Sequence, residues 1–140
     1  MSRTLQGVAI VEGEAEGAAL VCNEALAFSL VDPATGRVKQ PNHPWTGQSI
    51  ARRVLFFPSG TGSSSGSYWL FNLAHEGKAP AAIVNTQTDA VITAGAVLAG
   101  IPLVHRVTPD PLACVKTGDR VRVHPSGMLE ILGRSSAEAP

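Results

Sequence analysis

Between Arg52 and His105 the apolar residues change period four times, and this alternation limits the fold more than any other feature. "RRVLFF" is a continuous apolar strand, "SYWLFNLAHEG" has helical spacing, "APAAIVN" is a second strand, "DAVITAGAVLAG" a second helix and "IPLVH" a third strand. Strands alternating with short helices predict βαβ units, parallel pairing and right-handed crossovers. Gly77 followed by Pro80, and Gly100 followed by Pro102, are the expected helix stops.

The flanks read differently. "GVAIVEGEAEG", "GAALVCN" and "LAFSLVDPATGRV" are short strands and turns, the last turning at Asp32-Pro33-Ala34-Thr35-Gly36, where proline presets φ and glycine accepts a left-handed position. "PNHPWTGQSI" is an irregular crossing, and "GDRVRVHPSGMLEIL" alternates as a hairpin turning at Pro125-Ser126-Gly127. The predicted class is α/β: a β-barrel-like N-terminal part followed by βαβαβ with a largely parallel sheet. One domain is expected over 1–133, with a frayed tail over 134–140.

Eleven basic and eleven acidic residues cancel, and no basic run offers a surface to nucleic acid or an anionic membrane. The first residues lack the apolar region of a signal peptide and no apolar run approaches the ~20 residues that span a bilayer, so a cytoplasmic protein is expected. Cys22 and Cys114 lie far apart without the paired spacing of a metal site, and His43, His75, His105 and His124 are scattered. The chain alone is expected to bind no metal.

Chemistry concentrates in "PSGTGSSSGSYWL", residues 58–70, three glycines and five serines between a buried strand and a helix. α/β sheets bind ligands at the carboxyl ends of their strands, where this loop lies. A helix cap by Ser65 or Ser67 would need fewer small residues. Gly60-Thr61-Gly62 with Gly66 approximates a dinucleotide fingerprint, but Asn85 stands where its ribose-binding carboxylate belongs, and the phosphate-cradling Gly-Lys-Ser/Thr is absent. Gly62-Ser63-Ser64-Ser65-Gly66 fits the G-x-S-x-G of a serine hydrolase, with Ser64, Asp110 and His124 in chain order, but Pro58-Ser59-Gly60-Thr61 separate the serine from its strand. The remaining reading is that helix-start amides bind a carboxylate while a serine acts as base in proton abstraction next to it.

The loop "GTGSSSGS" after "VLFFP" resembles the glycine-serine loop of the aconitase superfamily's swivelling domain, and specifically that of the aconitase X family. "GVAIVEGEAEGAALV", "VDPATG", "SYWLFNLAHEGKAPAAIVN", "AVITAGAVLAGIPLV" and "GDRVRVHPSG" follow the family's order through nearly the whole chain. The resemblance implies a swivelling β/β/α fold and the small subunit of a heteromeric hydro-lyase, active only with a large subunit. It also implies an iron-sulfur cluster carried by that partner. Aligned on the family's Gly-Ser-Ser motif, Ser63 is the implied base. Gly62, Ser64, Ser65, Gly66 and Ser67 are the implied carboxylate site. Aconitases place an arginine where this chain has Ser65, which argues against citrate-like substrates. Members dehydrate cis-3-hydroxy-L-proline or phosphorylated mevalonate, and because no Arg or Lys occurs from Ser59 to Leu73, cis-3-hydroxy-L-proline is the expected substrate. The same fold also serves as a phosphohistidine carrier, for which the nearest downstream histidine is His75, and as a noncatalytic binding module.

Overall fold

The structure, a computed structural model, describes residues 3–62 and 65–134. Seven strands run β1 (Arg3–Val11), β2 (Ala15–Val21), β3 (Val54–Phe57), β4 (Ala82–Asn85), β5 (Leu103–Thr108), β6 (Asp119–Val123) and β7 (Met128–Arg134). They close into one barrel in the order β1-β5-β4-β3-β2-β6-β7. The β2, β3, β4 and β5 strands are mutually parallel, Ala19 facing Val54, Val54 facing Ala82 and Ile83 facing Leu103. The remaining pairings, β1 with β5 and β7 and β6 with β2 and β7, are antiparallel.

The α/β class holds, and the two expected parts prove to be one object. Strands β1 and β2 and the C-terminal hairpin supply the antiparallel wall, and the βαβαβ segment supplies the parallel wall. Strand β7 runs through Arg134, one residue into the expected tail, and 135–140 lie outside the described residues.

Side chains alternating at period two explain why the parallel strands read as unbroken apolar runs. Ala19, Val54, Phe56, Ala82, Val84 and Val104 point into the barrel with Val121, Val123, Leu129 and Ile131. Their neighbours Leu20, Leu55, Phe57, Ile83 and Leu103 point outward, under α1 (Gly66–His75) and α2 (Ala90–Ala99). Leu70 and Leu73 of α1 and Ile92 and Ala96 of α2 close this outer core. Phe57 is fully buried, so truncating it to alanine removes roughly 3–5 kcal/mol.

One expected strand is absent. Residues 26–38 form a 3-10 turn at Phe28–Leu30 and make only isolated bridges, Leu26 with Gly60 and Val31 with Val38. Their apolar side chains are needed elsewhere: Phe28 and Trp45 meet Phe57 edge-on, at 6.0 and 5.8 Å between ring centres, and seal the outer core. A short helix missing from the expectations, α3 (Pro111–Cys114), starts at an Asp-Pro pair, where Asp110 Oδ1 accepts from the Leu112 amide at 3.0 Å.

Candidate functional site

The glycine-serine segment leaves β3 at the carboxyl end of the parallel wall and enters α1. Its first half is tied down from two sides. Leu26 N donates to Ser59 O at 3.1 Å and Thr61 N to Leu26 O at 3.1 Å, so the loop runs beside residue 26 like a short extra strand. From the other side Asp89, the N-cap of α2, accepts from Gly60 N through Oδ2 and from Ile92 N through Oδ1, each at 2.9 Å. A Cβ at position 60 would stand 2.9 Å from Asp89 Oδ2 and 3.0 Å from Ile92, so any larger residue there has to displace those side chains. Gly62 has φ +88°, which only glycine adopts without strain, and it turns the chain toward α1.

Of the residues expected in the site, the structure brings Gly62, Ser65, Gly66 and Ser67 together at the start of α1. Ser63 and Ser64 lie outside the described residues. Ser65 occupies the cap position with helical dihedrals, φ −70° and ψ −5°, and makes no side-chain cap bond to the helix, and no acidic residue follows in the first turn. The positive end of the α1 dipole therefore lacks a carboxylate of its own, which suits an anionic ligand. Beside it opens a cleft of about 380 Å³ between Leu26, Phe28, the loop and the first residues of α2. Its lining is mainly apolar, with the loop backbone from Ser59 to Gly62 and the Asp89 carboxylate as its polar parts.

Beneath the loop, at the ends of β4 and β5, sit polar residues that sequence reasoning did not select. Asn85 is fully buried; its Nδ2 donates to Phe57 O at 3.0 Å, and its Oδ1 has no partner among the described residues. The Thr88 amide donates to His105 Nδ1 at 3.2 Å, so the proton of this ring is on Nε2. Burial, with Arg106 adjacent, pushes the His105 pKa down and keeps the ring neutral. Asp89 had a readable signal, an Asp directly before an apolar helical run. Its second bond, to Gly60, had none.

The competing arrangements do not assemble. His124 pairs through Nε2 with Glu130 Oε1 at 3.1 Å while Asp110 caps α3, so the hydrolase's Asp-His pair is not formed. His75 is exposed in the last turn of α1, roughly 15 Å along the helix from the loop. Cys22 is buried, with Glu24 O at 3.4 Å and His43 Nε2 at 3.9 Å, and burial pushes its pKa up, away from the thiolate a metal needs. Among the described residues no three His, Cys, Asp or Glu side chains form a metal-ligating group. Cys22 and Cys114, both free, are too few for the cysteine set that holds an iron-sulfur cluster. No helix among the described residues is long and apolar enough to cross a membrane.

Against known proteins, the aconitase X swivel domain matches residues 4–131. The phosphomevalonate dehydratase small subunit of Methanococcoides burtonii is 41% identical over 127 residues, 89% of this chain and 93% of that protein. The protein of the same name from Pyrococcus horikoshii is 40% identical, covering 94% of this chain and 98% of its own. Among solved structures, Thermococcus kodakaraensis aconitase X in its holo-form superposes with a TM-score of 0.87 at 41% identity, over 93% of this chain and 98% of that one.

Proposed function

The chain belongs to the aconitase X swivel-domain family, and on that premise we propose that it is the small subunit of a hydro-lyase that dehydrates a phosphorylated β-hydroxy acid of the mevalonate type. The curated relatives named for that activity support this reading, since they align over nine-tenths of both chains. The substrate's carboxylate sits on the amides of Gly62, Ser65, Gly66 and Ser67 with the Ser64 hydroxyl beside it. Ser63 Oγ takes the proton from the carbon next to that carboxylate, and the helix-start amides hold the negative charge that then grows on the carboxylate oxygens. Serine is a weak base in water, so the step requires a dry, dipole-lined site, which the partner completes by covering the cleft. In this reading the iron-sulfur cluster of the assembled enzyme is carried by the large subunit, since Cys22 and Cys114 are the only cysteines of the sequence and lie far apart along it.

The absence of Arg and Lys between Ser59 and Leu73 favours cis-3-hydroxy-L-proline as a second reading. Offering both acids to the reconstituted complex separates them by kcat/KM; faster turnover of the imino acid overturns the first. In the same complex Ser63→Ala lowers kcat about a hundredfold or more, and near-normal kcat removes Ser63 from the role of base. The chain purified alone turns over neither acid.

A further inference from the structure

The glycine-serine loop carries no cation, yet the fold delivers one to the same rim from a distant part of the sequence. Arg106 lies near the carboxyl end of β5 with φ +53°, the left-handed region in which a residue with a Cβ is strained. The cause is a bulge: Gln6 faces Thr108 and Val8 faces His105, so Arg106 and Val107 together oppose Gly7 alone. Glycine is the unstrained choice at such a position, and an arginine there points to a task for its side chain.

Its surroundings define that task. Arg106 opens onto a cavity of about 500 Å³ at the ends of the parallel strands, with Asn23, Pro58, Thr86 and Asp110. Pro58 lines this cavity and the next residue, Ser59, lines the cleft described above. Arg106 Nε donates to Gln87 Oε1 at 2.8 Å, while Gln87 N donates to Pro58 O at 3.2 Å, which anchors the guanidinium to the base of the loop. The terminal nitrogens Nη1 and Nη2 have no ion pair or hydrogen bond among the described residues. Asp110 lines the same cavity and accepts from the Leu112 amide through Oδ1, and no ion pair joins it to Arg106 among the described residues. A guanidinium held by one edge with its other fork open matches two oxygens of a phosphate monoester.

We infer that Arg106 is the specificity-determining residue that takes the phosphate of a substrate whose carboxylate rests on α1. The inference rests on the phosphorylated-acid reading above. The test uses the complex reconstituted with its large subunit, comparing wild type, Arg106→Gly and Arg106→Lys. Glycine removes the charge while relieving the left-handed strain, so Arg106→Gly folds with an unchanged or higher Tm. Its KM for the phosphorylated acid rises tenfold or more with kcat changed far less, and inorganic phosphate, which should inhibit wild type competitively, no longer inhibits. Arg106→Lys, which keeps the charge and loses the fork, falls between the two. An unchanged KM in Arg106→Gly, in a complex whose wild type is active, overturns this assignment alone. A wild-type complex that does not turn over the phosphorylated acid overturns the substrate reading and this assignment together.

Discussion

Helices α1 and α2 are each ten residues long and start at the same rim of the barrel, but their N-termini are finished in opposite ways. At α2, Asp89 adopts the extended backbone of a proper cap, satisfies the Ile92 amide and places a carboxylate on the positive end of the dipole. At α1 the cap position is helical, its side chain makes no cap bond to the helix, and the first turn holds no acid. One terminus is completed by the protein for stability. In the proposed reading a ligand's anion completes the other. Asp89 links the two, since the carboxylate that closes α2 also holds Gly60 and so sets the path of the loop into α1.

Exchanging the roles of the two termini gives the largest expected effect. Ser67→Asp puts a carboxylate into the first turn of α1, where it stabilises the helix by about 0.3–1 kcal/mol. Tm should hold or rise, while kcat/KM in the reconstituted complex falls by two orders of magnitude or more, because the new charge opposes the substrate carboxylate. Normal turnover would mean that the anion does not bind at α1.

Next in size is the loss of the link. Asp89→Ala removes the α2 cap and the Gly60 contact, at a cost of about 1–2 kcal/mol in stability by denaturant titration, with a fall in kcat as the loop loses its anchor. Asp89→Asn keeps one acceptor, which restores the cap bond to Ile92 N and most of the stability but turns an NH2 toward Gly60 N, so kcat stays low. If Asp89→Ala loses stability but keeps full kcat, the cap and the loop are independent.

The smallest effect is on pH. His43 and His105 are buried and their pKa values are pushed down, burial being the main cause in each. As pH falls through about 6.5 the unfolded chain gains protons that the folded chain refuses, so stability declines on the acid side and is level above it. Protonating His105 Nδ1 also removes the acceptor of the Thr88 amide, one residue before the Asp89 cap. Acid should therefore loosen the start of α2 before that of α1, visible as a fall in the amide protection factors of Thr88 and Ile92 relative to intrinsic exchange at each pH. A Tm that is flat from pH 7 to 5 would contradict this. Glu16, held low by hydrogen bonds from Arg120 and Arg122, adds its loss only in more acid solution.

Much of this was open to reading in the chain itself, because it depends on neighbours in sequence. The strand and helix alternation from Val54 to His105, the left-handed glycine stops at Gly77 and Gly100 and the hairpin at Gly127 are local matters of period and dihedral preference. The loop's composition marked the candidate site for the same reason. What tertiary structure alone decided involves residues far apart in sequence. Closure of β1 onto β7 made two apparent halves one barrel, and residues 26–38 left the sheet because the outer core needed Phe28 more than the barrel needed another strand. The Asp89 bond to Gly60 spans 29 positions, and Arg106 reaches the rim only because a bulge against Gly7 turns it there. Period and composition say which residues are buried and where a chain turns. Which distant side chains share a rim depends on strand order and register, which nothing local encodes.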